Sequence, residues 1–262
     1  MSVVVRSGLS VTCSAWKALL LRETVNRLAA GRAAWVWLLL EPLIHVMFML
    51  AMFTAVRVHT VGGIDATLWL TIGMIAFFQF RRTATQCTHA INANRALFTY
   101  RQVKPVDTVL VRAACEGFLM LLVMVMAMAV LALLGHNILP VDPLALFGAM
   151  FGLWLIGLGF GLVTSVAVEL IPEFAKIINI VMLPAYFLSG VMVQIGAIPE
   201  PYRSYLALNP LVHGLETARV SFAPYYHTLT GLSLAYLYLW ALLLIFLGLA
   251  LQLRFAERVV RQ

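Results

Sequence analysis

The sequence predicts an all-α integral membrane protein with six transmembrane helices, and two observations support this fold class. Of the 262 residues, 63% are hydrophobic and 11% are charged, whereas soluble globular domains are about 45 to 50% apolar and about 25% charged. Apolar stretches of about 20 residues, the length that crosses a bilayer as a helix, recur along the whole chain. Because no half of the chain is polar, we expect a single membrane domain over residues 1–262.

The apolar stretches set the order of the predicted elements. Residues 1–33 carry several cations before the first long apolar run, so we expect them to be cytoplasmic or interfacial. The predicted spans are 34–56, 67–87, 108–134, 144–168, 174–193 and 232–253.

The positive charges predict the orientation of these spans. Most of the 18 lysines and arginines fall before the first span, between the second and third, and after the sixth, while the opposite side retains only Arg57, Arg203 and Arg219. Because loops rich in lysine and arginine stay in the cytoplasm, we expect both termini to be cytoplasmic. The cations form no single basic face despite a net charge of +7, which argues against nucleic acid as a partner.

The sequence lacks the motifs of common catalytic and nucleotide-binding sites. It contains no GxxxxGK[ST], HExxH or GxSxG pattern, and its three cysteines form no CxxC pair. Gly157, Gly159 and Gly161 lie in the middle of the fourth span with no strand before them, so they predict close helix packing and not a phosphate loop. We therefore assign this chain no catalytic residue, no metal site and no bound cofactor.

The segment before the first span predicts an interfacial helix. Trp16, Leu19 and Leu20 recur at helical spacing beside basic residues. Such a helix can lie along the inner leaflet, where each cation contributes ~1 kcal/mol against anionic lipid. A simple topogenic anchor is the alternative. The candidate contacts with lipid, or with the lipid terminus of a substrate, are Arg22, Arg27 and Arg32.

Two adjacent arginines are predicted to lie at membrane depth. Only about fourteen residues separate the start of the second span from Arg81, which is too few for a full crossing at 1.5 Å per residue. A charge facing lipid there costs about 2.5 to 3.5 kcal/mol, so Arg81 and Arg82 either attract an anionic substrate in a cavity or snorkel to lipid phosphates. The aromatic candidates for the same path are Trp35, Trp37 and Tyr186.

The connection between the second and third spans (residues 94–105) is short, basic and aromatic. A short helix ended by Pro105 could present Leu97, Phe98 and Tyr100 to a protein partner, because aromatic side chains and arginine dominate interface cores. A plain amphipathic linker is the alternative.

The 194–231 segment is too apolar for a solvated loop. Irregular backbone at membrane depth needs protein or a water-filled cavity around it, so we expect short re-entrant helices at the outer face, with a kink or break near Pro184 and Gly190. The candidate residues of this external cap are Tyr202, Tyr205, Asn209 and Pro210.

Five stretches together resemble the membrane subunits of ABC-2 type exporters, and more closely those of the KpsM type, which export capsular polysaccharide and are related to O-antigen exporters. The stretches keep the family's order and spacing over most of the chain. They are LRETVNR (21–27), WLLLEPLIH (37–45), ALFTYRQVKPVD (96–107), PEF (172–174) and YLALNPLVHGLE (205–216).

The resemblance implies a homodimer of six-span subunits that associates with two copies of a separate ATPase, which binds ATP and Mg²⁺. It maps the coupling helix to Arg95 through Arg101 and a second ATPase contact to residues 169–176, including Glu173. It also implies a lipid-linked acidic polysaccharide as substrate, periplasmic adaptor and outer-membrane export proteins as partners, and the inner membrane of a Gram-negative bacterium.

Three alternatives remain open at this point. The first is an ABC-2 exporter of another substrate, such as O-antigen, teichoic acid or a drug. The second is a membrane-embedded transferase, against which the scattered carboxylates and histidines count. The third is an ion-coupled transporter, which broken helices favour but the missing inverted repeat disfavours.

Overall fold

A computed structural model describes the backbone of residues 8–29, 36, 40, 43–48, 51–52, 59–100 and 102–261, and their side chains except at 8–11, 26–29, 257 and 259–261. Most of the first predicted span, 34–56, lies outside this set. The side chains of Arg27, Arg32, Trp35, Trp37 and Arg101 also lie outside it.

The described chain is mostly helical, with one β-hairpin whose two strands pair antiparallel. Short 3₁₀ helices cover Arg95–Thr99 and Ile195–Ala197. The other elements are α1 (Gly8–Ala29), β1 (Thr60–Val61), β2 (Ile64–Asp65), α2 (Ala66–Thr88), α3 (Ala90–Ala93), α4 (Pro105–Leu133), α5 (Pro143–Leu170), α6 (Phe174–Leu188), α7 (Tyr202–Leu206), α8 (Pro210–Val220) and α9 (Leu234–Arg261).

Local sequence signals explain where the long helices begin. Asp65 and Asp142 precede α2 and α5, and each carboxylate accepts a hydrogen bond from a backbone N–H in the first turn. Pro105, Pro143 and Pro210 occupy the first position of their helices, where the missing N–H costs nothing and the fixed φ suits a helix.

Within the described residues, three helices are long and apolar enough to cross a membrane: Pro105–Leu133, Pro143–Leu170 and Leu234–Ala256. Helix α6 has only 15 residues, so it is about 22 Å long against a hydrocarbon core of about 30 Å. It ends at Leu188, before the predicted limit of 193. The chain passes through Pro184 without ending the helix and turns at Gly190, whose φ is +74°.

Helix α2 is the central helix of the described bundle. Its side chains from Leu68 to Phe80 are buried against neighbouring helices. The glycines of α5 allow close approach, since a Cβ at Gly157 would lie 2.9 Å from the Phe80 carbonyl oxygen, and one at Gly161 only 2.2 Å from the Cys87 Cβ. On the other side of α5, a Cβ at Gly159 would lie 2.8 Å from that of Leu244. The predicted role of these glycines in helix packing is confirmed.

The two ends of the bundle carry different groups. We call the end with α1, the connection and the last turn of α5 the basic end, and the end with the β-hairpin, α7 and α8 the hairpin end. Candidate functional residues lie at both ends, and Arg81 and Arg82 lie between them on α2.

Candidate functional site

The connection at the basic end presents only part of its apolar surface. Phe98 is 8% exposed and packs in a core cluster with Cys87, Ile91 and Val109, whereas Tyr100 is 66% exposed. Leu97 is half-buried. Of the three predicted anchors, Tyr100 therefore offers the largest contact surface, and Phe98 supports the connection from inside.

An ion pair joins the connection to α5. The Arg95 guanidinium donates to the carboxylate of Glu169, which is almost fully buried in the last turn of α5. Close by, the hydroxyl groups of Thr88 and Thr164 lie 2.6 Å apart. The end of α2, the connection and the end of α5 thus form one hydrogen-bonded unit.

One carboxylate joins the connection to the N-terminal helix. Asp107 accepts from the backbone N–H of Lys104 at 2.9 Å, which caps α4, and its other oxygen accepts from the indole N–H of Trp16 at 2.8 Å. A second attachment is the ion pair between Glu23 and Arg112, at 3.3 Å. Helix α1 is therefore held to the first turns of α4 at two points.

Between α1 and the connection lies an open groove of about 380 Å³. Arg22 lines it from α1, beside the small side chains of Ser14, Ala15 and Ala18. The loop that precedes α6 is a further exposed feature of this end, where Glu173 is exposed at the helix start and its side chain accepts no capping hydrogen bond.

The two arginines of α2 have different surroundings. Arg82 donates to Glu116 of α4 at 3.3 Å, and the Glu116 side chain is fully buried. Arg81 is exposed, and in the described part of the chain its guanidinium makes no ion pair or hydrogen bond. Arg82 is thus paired inside the protein, whereas Arg81 lies on the surface of the described bundle.

Tyr186 of α6 lies in an aromatic cluster one turn from Arg81. Its ring packs edge-on against Phe77, with centroids 5.2 Å apart, and against His45 at 6.3 Å. Its hydroxyl is buried and has no hydrogen-bond partner among the described residues. Since Phe77 precedes Arg81 by four residues on the same face of α2, the structure brings two of the predicted path residues into one region.

A fully buried ion pair holds the hairpin end together. Arg219, near the end of α8, donates to Glu216 at 2.8 Å, and neither side chain is exposed. The same guanidinium donates to the carbonyls of Gly190 and Val191, each at 2.8 Å, and lies 3.7 Å from the ring centroid of Trp69. Helix α8 is therefore joined to the turn after α6 and to the first turn of α2.

Two further hydrogen bonds extend this network into the loop after α8. Thr228 donates to the second oxygen of Glu216 at 2.6 Å, and the indole N–H of Trp69 donates to the hydroxyl of Tyr226 at 3.0 Å. Burial raises the pKa of Tyr226 to about 12, so this hydroxyl stays protonated at neutral pH.

Neither Arg219 nor Glu216 is among the site residues predicted from the sequence. In the sequence, Arg219 is one of three cations opposite the predicted cytoplasmic side, and Glu216 is the last residue of the YLALNPLVHGLE stretch. The available signal was their spacing, because a carboxylate and a guanidinium three residues apart share a helix face, and here they do so in an apolar stretch that requires pairing of buried charge.

The predicted cap residues lie in two places, on α7 and at the start of α8. Tyr202 and Tyr205 are exposed on α7. Asn209 accepts from the backbone N–H of Leu211, which caps α8, and donates to Ser189 at 3.1 Å. Pro210 is the first residue of α8.

Comparison with known proteins identifies the family. Residues 14–223 match the ABC-2 type transporter family. The chain is 35% identical over 246 residues to the polysialic acid transport protein KpsM of Escherichia coli, covering 94% of this chain and 95% of that protein. It is 30% identical over 249 residues to the capsule polysaccharide export inner-membrane protein CtrC of Neisseria meningitidis serogroup A, covering 94% and 92% of the two chains.

A third relative is the capsule polysaccharide export inner-membrane protein BexB of Haemophilus influenzae, which is 25% identical over 217 residues and matches 82% of this chain and 81% of its own. These matches confirm the resemblance drawn from the sequence motifs. Together with the apolar helices of the bundle, they establish that the chain belongs to the ABC-2 type transporter family of membrane proteins.

Proposed function

We propose that this protein is the membrane-spanning subunit of an exporter that moves lipid-linked, acidic capsular polysaccharide across the inner membrane of a Gram-negative bacterium. The observation that carries this function is the match to KpsM, a polysialic acid transport protein, over almost the full length of both chains. CtrC and BexB, both described as capsule polysaccharide export proteins, support the same substrate class.

In this proposal, two copies of the chain associate with two copies of a separate ATPase, which binds ATP and Mg²⁺. Each copy crosses the membrane six times, with both termini in the cytoplasm. The three long apolar helices, the buried α2, the shorter α6 and the apolar run 34–56 support six spans. The cations at the basic end support a cytoplasmic location for that end.

The ATPase would dock on the exposed groups of the basic end. Tyr100 and Glu173 contribute contact surface, with Leu97 beside them, and Arg101 extends the same connection. Arg95 would transmit displacement of the connection to α5 through Glu169, while Phe98 keeps the connection rigid. Because the chain has no nucleotide-binding motif, ATP hydrolysis belongs to the partner.

The acidic polymer would pass close to Arg81. An exposed guanidinium at membrane depth, with no anionic partner in the described residues, is stabilised when an anion arrives. Tyr186, whose buried hydroxyl has no hydrogen-bond partner among the described residues, lies in the same region, and Trp35 and Trp37 are proposed for the same path. Arg82 would not contact the polymer but would support this region through its ion pair with Glu116.

The interfacial helix and the 194–231 segment complete the proposed path. Arg22, Arg27 and Arg32 would attract the anionic lipid terminus at the inner leaflet. At the outer face, Tyr202, Tyr205, Asn209 and Pro210 belong to a cap over the exit. Periplasmic adaptor and outer-membrane proteins would receive the polymer there.

Co-purification and stimulation of ATP hydrolysis test this function. The tagged chain should retain an ATPase subunit in roughly equal stoichiometry, and acidic glycolipid should stimulate ATP hydrolysis by the reconstituted complex. Stimulation by a drug or by neutral O-antigen glycolipid, with no response to acidic glycolipid, would assign the chain to another ABC-2 substrate class. Retention of no ATPase would contradict the proposal.

A further inference from the structure

The hairpin end contains a buried network of charged side chains that has no role in the proposed function described above. Both members of the Arg219–Glu216 pair are fully buried. A buried pair is stable only when hydrogen bonds satisfy the remaining donors and lone pairs. Here the network meets that condition, because the guanidinium donates to three backbone carbonyls besides Glu216, and Glu216 accepts a second hydrogen bond.

The network joins three parts of the chain that are distant in sequence. Arg219 contacts Trp69 across 150 positions and Gly190 across 29. A Cβ at residue 73 would lie 2.2 Å from the Arg219 Nη2 atom, so Gly73 leaves the space that the guanidinium occupies against α2. The planar group is thus held between α2, the turn after α6 and its own helix.

Other contacts attach the same region to the remaining helices. Ser221, directly after α8, accepts from the backbone N–H groups of Val141 and Asp142 before α5, at 2.8 and 3.0 Å. His213 of α8 accepts from the backbone N–H of Ser233, next to the start of α9, at 3.2 Å. In one protomer, α8 is therefore fastened to the hairpin ends of α2, α5, α6 and α9.

We propose that Arg219 is a positioning residue that latches the 194–231 segment onto α2 and the turn after α6, so that this segment moves with α2 as one rigid body during transport and does not swing as a separate lid. The inference rests on the proposed function for its transport cycle. Its geometric basis is that a swing of α8 away from α2 would separate Arg219 from the carbonyls of Trp69, Gly190 and Val191. The buried guanidinium would then keep only its bond to Glu216 on the same helix, and its lost hydrogen bonds would be costly in a low-dielectric interior.

Distances within one protomer test the rigid-body statement directly. Spin labels at Thr60→Cys, in the hairpin before α2, and at Thr230→Cys, in the loop after α8, occupy two exposed positions. The variant is made without the native cysteines, assembled with its ATPase in lipid, and diluted with unlabelled protomers so that only distances within a protomer are measured. The latch predicts the same distance distribution in the nucleotide-free and ATP-trapped states. A shift between the two states would overturn it.

Substitution of the latch residue supplies a second measurement. In Arg219→Gln, the label distribution should broaden, and the amount of polymer exported per ATP hydrolysed should fall, because the segment is no longer held to the Trp69, Gly190 and Val191 carbonyls. Arg219→Lys keeps the charge without the planar fork and should recover only part of this ratio. Arg203→Gln is the matched control, because its i,i+3 partner Glu200 forms an exposed pair.

A role in stability alone would lower the amount of folded Arg219→Gln protein but leave the exported polymer per ATP unchanged, and that result would overturn the positioning role. If the parent complex hydrolyses ATP but exports no polysaccharide, the proposed function fails. In that case, the distance between labels at residues 60 and 230 in protein with Arg219 intact still tests whether the 194–231 segment moves with α2 as one rigid body.

Discussion

Arg95 of the connection and Glu169 of α5 form an ion pair across 74 positions of sequence. The Glu169 side chain is 3% exposed and that of Arg95 is 41% exposed, so the pair links a surface segment to a buried helix end. A partner that displaces the connection would move the end of α5 with it. In the proposed exporter, this contact transmits work from the ATPase to the bundle.

Removing the Arg95 side chain should lower the export per ATP hydrolysed more than it lowers the free energy of unfolding. Arg95→Gln leaves the Glu169 carboxylate without its partner, and because Arg95 is partly solvated we expect a loss of about 1 to 2 kcal/mol in unfolding free energy. Export per ATP hydrolysed should fall several-fold. Vesicle transport and ATP hydrolysis, measured on the same preparation, check this.

The reversed pair provides the control for that experiment. Arg95→Glu combined with Glu169→Arg should recover part of the lost coupling, since the two charges can meet again. Arg258→Gln changes an exposed cation of α9 and should behave as wild type. Equal loss in the single and the reversed variants would contradict a role for the pair.

Arg81 and Arg82 should respond in opposite ways to the same substitution. Arg82→Gln removes the ion pair between Arg82 and the buried Glu116 carboxylate, which costs about 3 to 5 kcal/mol of stability. Arg81→Gln should leave the unfolding free energy unchanged and lower export about tenfold, the effect of losing one charge-assisted contact. Unfolding in mixed micelles and transport assays separate the two effects.

The double variant Arg82→Gln/Glu116→Gln tests the assigned pairing. Because both charges are then absent, stability should return most of the way to that of the wild type. If Arg81→Gln is the destabilised variant and Arg82→Gln the transport-defective one, the assignment of the two arginines is wrong.

Substitutions of Phe98 and Tyr100 should also have different effects, the first on stability and the second on ATPase binding. Phe98→Ala removes a buried ring from a core cluster and should cost about 3 to 5 kcal/mol. Tyr100→Ala removes an exposed ring and should leave stability unchanged while weakening ATPase binding about tenfold, as for an interface anchor. Titration of the ATPase onto the membrane subunit measures this, and normal affinity of Tyr100→Ala would remove Tyr100 from the interface.

The bond between Trp16 and Asp107 predicts how firmly α1 is held. Trp16→Phe removes only the indole donor, so Asp107 still caps α4, and the loss should be about 1 to 2 kcal/mol. Backbone amides of α1 should then exchange faster with solvent, while those of α4 keep their protection. Trp240→Phe, on an exposed face of α9, is the matched control. Unchanged exchange in α1 would contradict the assigned attachment.

Short-range features of this fold could be predicted from the sequence. Apolar runs indicated helices where α2, α4, α5 and α9 lie, because each run is longer than an ordinary loop. Local start signals precede α2, α4 and α5. The glycines of α5 indicated close packing correctly because membrane helices need small residues to approach. The end of α6 was harder to place, since hydropathy continues through Val193 but the backbone turns at Gly190.

The candidate sites depended on contacts between distant residues, which one sequence does not reveal. Arg81 and Arg82 are neighbours with the same chemistry, and only the position of Glu116 on α4 distinguishes them. Phe98 and Tyr100 are likewise two residues apart in one aromatic stretch, yet one side chain packs inward. Arg219 resembled an ordinary surface cation because its partners, Trp69 and Gly190, lie far away in the chain.

In the proposed exporter, this chain moves acidic polysaccharide only when a separate ATPase drives it. The most direct measurement is transport of lipid-linked acidic polysaccharide into inside-out vesicles that contain the purified chain, with the ATPase subunit either present or omitted. We predict ATP-dependent accumulation in the lumen only when both subunits are present. Accumulation against a gradient by the chain alone, or no accumulation with both subunits and ATP, would show that the chain is not the ATPase-driven membrane subunit of such an exporter.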